Sequence, residues 1–266
     1  MAGWRIMGIL NVTPDSFSDG GEWFGGDAAV AHGRELVAQG AAIVDVGGES
    51  TRPGAEPVGA EEEARRVVPV IAALCDAGAQ ISVDTSKLAV ARAALDAGAT
   101  YVNDVTAFRA EPELAGLVAD SGADCCLMHM LGEPRTMQDD PRYGDVVSEV
   151  KAFLLERMEF AVAEGVPEER IQLDPGIGFG KTVEHNLELL RRLDELAELG
   201  RPIVYGTSRK TYIGRITGRE DPHERVHGSI AANVLALERG ASVFRVHDVA
   251  ATRDALAVAA ATLRRQ

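Results

Sequence analysis

A closed (β/α)8 barrel of the TIM type, one domain over residues 1–266, is predicted by three observations. Short apolar runs alternate with longer stretches of helical spacing from end to end. Glycines stand where those helices should stop. Polar residues collect just past the C-terminal ends of the apolar runs, where such barrels build their sites. A length of 266 residues with 46% apolar content is enough for one large core of this kind.

The first run, Arg5–Val12, ends on Asn11 and breaks into Thr13-Pro14-Asp15-Ser16-Phe17-Ser18-Asp19-Gly20-Gly21, rich in hydroxyls and φ-permissive glycines. An ordinary strand-to-helix turn has the same composition, so this loop gains meaning only from its recurrence. The second, Ala42–Gly47, is apolar except for Asp45 and opens into Gly47-Gly48-Glu49-Ser50-Thr51-Arg52-Pro53-Gly54. Further strands are read at Gln80–Asp84, Tyr101–Val105, Cys125–Met130, Ile171–Asp174, Pro202–Gly206 and Val243–Val249. Helical spacing marks Glu61–Asp76, Lys87–Ala97, Asp145–Glu164, Val183–Leu199 and, after the last strand, Thr252–Arg264. Gly40, Gly78, Gly98, Gly122, Gly200 and Gly240 are the expected helix stops. A doubly wound open sheet would place a Gly-rich dinucleotide turn after the first strand, and none is there.

Composition excludes several functions. A net charge of −14, from 27 basic against 41 acidic residues, argues against nonspecific nucleic-acid binding. It does not exclude an anionic substrate, because a local cationic pocket outweighs the sum. Three cysteines without metal-ligand spacing are expected to be reduced, and the protein cytoplasmic; Cys125 and Cys126 should pack as small hydrophobes. No segment has the length and apolarity of a membrane span or a leader.

The polar residues at the strand ends are Asn11, Asp45, Asp84, Asn103, His129, Asp174, Ser208 with Lys210, and Arg245 with His247. Alternation in Ile81-Ser82-Val83-Asp84 puts Ser82 and Asp84 on one face, and in Val243–His247 does the same for Arg245 and His247. Buried charges are costly unless paired or ligand-bound. An internal ion pair explains any one of them as well as a ligand does; their collection at one end points to a site. The loop at Gly47–Gly54 suits an anion, through free amides and the Arg52 fork, or is simply a solvated loop. Asp174-Pro175-Gly176-Ile177-Gly178-Phe179-Gly180-Lys181-Thr182 resembles a phosphate-binding P-loop, but Pro175 occupies the position of its first Gly. Backbone curling over a flat ligand, with Phe179 against it, fits better. Carboxylates and amides can match the donor–acceptor edge of a pyrimidinone ring, and Arg, His and Lys an anion. No Ser-His-Asp, Cys-His, HxxEH or CxxC pattern is present.

Met7–Gly21, Asp45–Gly54, Ser208-Arg209-Lys210 and Arg245-Val246-His247-Asp248-Val249 closely resemble the dihydropteroate synthase family, in order and over essentially the whole chain. The first two motifs are long and specific; the last two would be weak alone. The resemblance implies a homodimeric enzyme of folate synthesis that joins 6-hydroxymethyl-7,8-dihydropterin diphosphate to 4-aminobenzoate, with Mg²⁺. By motif position, Asn11 stands at the Mg²⁺–diphosphate site, and Arg52, Arg245 and His247 grip the phosphates. Asp84, Asn103, Asp174 and Lys210 stand in the pterin set, with Met128, Phe179 and Gly206 lining its slot. Phe17, Thr51, Pro53, Ser208 and Lys210 stand in the aminobenzoate and sulfonamide region. Asp84, Lys210, Arg245 and His247 are the residues expected to carry catalysis. The loops Asn11–Gly26 and Ser50–Gly59 are expected to close over the mouth. Thr207 and Thr211-Tyr212 depart from the commoner family variants.

Two alternatives remain at this level. A methyltetrahydrofolate:corrinoid methyltransferase would share the pterin slot without needing the groups that hold diphosphate. A noncatalytic pterin-binding homologue would tolerate loss of Asn11, Arg52 or His247, and all three are present.

Overall fold

The computed structural model describes residues 3–13, 24–50, 57–133 and 135–263. Eight parallel strands close into a barrel in sequence order: β1 (Arg5–Asn11), β2 (Ile43–Gly47), β3 (Gln80–Asp84), β4 (Tyr101–Asp104), β5 (Asp124–Met128), β6 (Ile171–Asp174), β7 (Ile203–Tyr205) and β8 (Ala241–Val246). β8 closes the ring on β1, with Met7 opposite Arg245. Between and after the strands run α1 (Phe24–Gln39), α2 (Ala60–Leu74), α3 (Leu88–Asp96), α4 (Glu113–Ser121), α5 (Val146–Ala163), α6 (Val183–Arg191), α7 (Leu193–Ala197), α8 (Thr211–Thr217), α9 (Val226–Glu238) and α10 (Val249–Leu263).

Each strand has two buried faces, and they do different work. Outward residues such as Leu10, Val46, Val83, Leu127, Leu173 and Phe244 join one core with helix residues such as Leu36, Ile71, Leu154 and Leu256. Inward residues Met7, Ile43, Tyr101, Cys126, Val204 and Val243 form a separate layer that fills the barrel. One step nearer the C-terminal mouth, the inward positions turn polar. Register makes them neighbours: Asn11 lies opposite Gly47, Gly47 opposite Asp84, and Asp84 opposite Asn103.

All six glycines read as helix stops have positive φ. The expected helix Val183–Leu199 is instead α6 and α7, broken at Arg192 with φ −112° and ψ 30°. Local charge explains the break. The Arg192 guanidinium donates to Asp145 at 3.1 Å and to Glu195 at 2.6 Å, an arrangement reaching from α7 to the N-cap of α5. β7 is the other departure: it is only Ile203–Tyr205, with a register shift against β8 between Ile203 and Val204. Among the described residues no helix is long and apolar enough to cross a membrane. Cys125 and Cys126 are buried and unbridged, as expected of small core side chains.

Candidate active site

Asp45 is the hub of the polar layer. Its fully buried carboxylate accepts from Ser82 Oγ at 2.6 Å, Asn103 Nδ2 at 3.0 Å and Arg245 Nε at 2.6 Å. Arg245 extends the network by donating from Nη2 to Asp84 at 2.6 Å. Burial alone would lower the Arg245 pKa, but Asp45 and Asp84 outweigh it and raise it above the ordinary guanidinium value. One cation therefore serves two carboxylates. Burial pushes Asp84 up to about 7 against the pull of Arg245, with Asp45, Glu63 and Asp104 adding to the rise. Asp84 is thus a carboxyl whose charge is incompletely compensated, the kind of group that clefts keep for a ligand.

Beside this network opens a cleft lined by Asp84, Asn103, Asp174, Arg245, Lys210 and Gly206 on its polar side. Val105, Met128, Ile177 and Phe179 form the apolar side. Asp174 is raised by burial, an effect reduced by the Gly176 amide that donates to Oδ1 at 2.6 Å and by the charge of Lys210. Lys210 Nζ lies 4.1 Å from the centroid of Phe179, a cation held over a ring face. Gly206 has a simple role. A Cβ there would stand 3.6 Å from Asp174 Oδ2 and 3.9 Å from the Arg245 Cβ, inside the space these groups share. The cleft therefore combines acceptors, an amide and two cations with apolar walls.

A notch lies at the rim. Gly47 sits between Asn11 and Asp84, where a Cβ would come within 3.9 Å of Asn11 Oδ1 and 3.7 Å of Asp84 Oδ2. The missing side chain leaves a space edged by oxygens. Among the described residues no group of three His, Cys, Asp or Glu side chains is set to hold a metal. A site with few protein oxygens matches Mg²⁺, which keeps waters and takes substrate phosphates as ligands.

Of the residues read from sequence, Asp84, Asn103, Met128, Asp174, Phe179, Gly206, Lys210 and Arg245 meet in the cleft. Ser208 and His247 meet beside it at the ends of β7 and β8. The Ser208 hydroxyl lies 3.0 Å from His247 Nδ1 and accepts from the His247 amide at 3.1 Å. Asn11 ends β1, the strand that pairs with β8. Phe17, Thr51, Arg52 and Pro53, and most of both expected closing loops, lie outside the described residues. His129 requires a correction. It reaches the C-terminal end of the barrel as expected, but its ring packs edge-on against Phe153 of α5 at 4.9 Å, away from the cleft. Strand alternation gives the reason: Met128 points into the cleft, so the next residue points out.

Several residues were missed. Asp45 was recognised as polar but not as the hub, because only register across three strands reveals its partners. Arg209 has φ 57°, and this left-handed turn sends its guanidinium to Asp248 at 2.6 Å while Lys210 enters the cleft. That ion pair joins the Ser208-Arg209-Lys210 motif to the Arg245–Val249 motif. Lys87 pairs with Glu49 and Glu63, and Glu49 also accepts from the Val58 amide at 3.1 Å. Opposite charges on the loop after β2, on α2 and at the N-cap of α3 were the only available signal. Thr207 and Tyr212 bond to each other at 2.6 Å behind the site.

A family model described as pterin binding enzyme matches residues 7–247. A dihydropteroate synthase of Neisseria meningitidis serogroup C is 48% identical over 255 residues, covering 95% of this chain and 90% of its own. The solved Xanthomonas albilineans dihydropteroate synthase with 4-aminobenzoic acid superposes with a TM-score of 0.94 at 52% identity, covering 100% of this chain and 95% of that one. The same enzyme in complex with 7,8-dihydropteroate gives 0.90 at 48% identity, again over 100% and 95%. These relatives are all named dihydropteroate synthases, so the corrinoid methyltransferase alternative falls away. The chain belongs to the dihydropteroate synthase family of pterin-binding enzymes.

Proposed function

We propose that this chain forms 7,8-dihydropteroate and diphosphate from 6-hydroxymethyl-7,8-dihydropterin diphosphate and 4-aminobenzoate. The observation that carries the reading is the convergence of Asp84, Asn103, Asp174, Lys210 and Arg245 with Phe179 and Met128 in one cleft at the barrel mouth. The relatives solved with 4-aminobenzoic acid and with 7,8-dihydropteroate support it.

Asp84, Asn103 and Asp174 bind the donor–acceptor edge of the pterin, and Met128 and Phe179 take its faces. Arg245 and His247, with Arg52 from outside the described residues, receive the diphosphate. Arg245 is preset for this by its bonds to Asp45 and Asp84. Asn11 would hold Mg²⁺ at the notch beside Gly47, and the bound ion would neutralise charge on the diphosphate. The bond between the pterin methylene carbon and the diphosphate oxygen breaks first, its electron pair leaving with diphosphate. The carboxylate of Asp84 stabilises the electron-poor methylene. The aryl amine lone pair then forms the C–N bond, and the nitrogen releases a proton. No strong protein base is needed for so weakly basic an amine.

A diphosphate-release assay with both substrates tests the reading. Turnover is expected only with both and with Mg²⁺; pterin binding without turnover would leave a binding protein. Positional isotope exchange within labelled pterin diphosphate, in the absence of net reaction, is the expected sign of early C–O cleavage. Kinetic isotope effects with strong nucleophile participation would overturn that order. A homodimer in the cytoplasm completes the proposal, checked by sedimentation equilibrium at twice the monomer mass.

A further inference from the structure

Lys181 ends the segment that imitates a phosphate-binding loop, and the reaction above gives it no work. It is only 3% exposed. Its ammonium has four acceptors: the His129 ring Nδ1 at 2.9 Å, the Gly176 carbonyl at 3.0 Å, the Phe179 carbonyl at 3.0 Å and, farther off, the His129 carbonyl at 3.5 Å. His129 follows β5, whereas the Gly176 and Phe179 carbonyls belong to the loop after β6, so a single side chain joins two loops. Burial first, then the charges of Lys181 and Arg109, hold the His129 pKa down to about 2. The ring is therefore neutral, and Nδ1 can accept only if the proton is on Nε2.

The rest of the loop is held in the same way. Gly178 N donates to Asn186 Oδ1 at 2.8 Å, Tyr143 OH donates to the Gly180 carbonyl at 2.9 Å, and Gln138 donates to the Gly178 carbonyl. Gly176, Gly178 and Gly180 all take positive φ, so the segment coils tightly around these donors. Its apolar side chains, Ile177 and Phe179, are the ones that wall the cleft. Burying an ammonium is costly: desolvation brings Lys181 down to about 7, with Lys210 adding to the fall and the Asp174 carboxylate opposing it. A methionine would fill the space without that cost, and without the donors that hold the two loops.

We propose that Lys181, acting through His129 and the Gly176 and Phe179 carbonyls, is a positioning residue that sets the pterin-facing wall of the cleft. The inference rests on the pterin reading of that cleft. It is tested with Lys181→Met, which keeps the stem and removes the ammonium. The Michaelis constant and the calorimetric Kd for pterin diphosphate should rise by about tenfold or more, as expected for lost charged hydrogen bonds. The constant for 4-aminobenzoate should stay within about twofold. A lower melting temperature with both constants unmoved would mean a merely structural lysine and overturn the inference. If the unaltered chain does not bind pterin diphosphate, the function itself fails first, which separates the two. Should Lys181→Met not fold, His129→Phe keeps a ring against Phe153 and removes only the acceptor. It should raise the same constant about threefold, and no change there also overturns the proposal.

Discussion

Arg245 holds the polar layer together, and its removal has two separable effects. Arg245→Ala leaves Asp45 fully buried with its cation gone, a change that costs about 3–5 kcal/mol when a buried pair is broken. Urea denaturation should show that loss, and diphosphate release should fall at least about a hundredfold. Asp84 adds a pH signature. Its pKa rises from the ordinary 3.8 to about 7 in the folded chain, so the fold holds this proton more tightly than the unfolded chain does. Its contribution to stability is therefore present at low pH and lost as pH rises through about 7. Activity runs the opposite way, because the carboxylate is the working form. kcat/KM for the pterin substrate should climb to a plateau above about pH 7, and Asp84→Asn should remove that limb together with most of the rate. At this scale the site was legible wherever a charged residue interrupted an apolar strand, as Asp84, Asp174 and Arg245 do. It was not legible where the relevant fact is a partner distant in sequence, as for Lys181 with His129 or Arg209 with Asp248.

Elements were legible in type but not at their ends. Alternation and apolar runs identify a strand, but a ladder bond decides its last residue, so Val12 and Val105 were included although β1 and β4 stop one residue earlier. Helical spacing likewise ran through Arg192, where the helix breaks and the guanidinium pairs with Asp145, the N-cap of α5, and with Glu195. The loop after β6 gives the sharpest element-scale contrast. Gly176 has φ +68°, and a Cβ there would overlap the His129 carbonyl. Gly116, inside α4, has open space where a Cβ would stand. Gly176→Ala should destabilise by about 2 kcal/mol or more. Gly116→Ala should instead stabilise by about 0.4–1 kcal/mol. Thermal melts of the two variants check both signs.

For the whole molecule, eight repeats of one pattern made the barrel readable from sequence, because no single boundary error disturbs the count. The barrel should owe nothing to the proposed Mg²⁺, since among the described residues no ligand cluster ties elements together. Chelation should therefore abolish turnover and leave the melting temperature in place, and dialysis against EDTA with a paired melt and rate assay checks both. The Arg245–Asp45 bond spans 200 residues and cannot form until the last strand meets the first. Closing so long a loop is slow in entropy terms, and local helices form well before it. During synthesis the strand that carries Arg245 must leave the ribosome before Asp45 acquires its cation. Refolding followed by circular dichroism and by rate should show helix returning first, so the return of catalysis would act as a clock for ring closure.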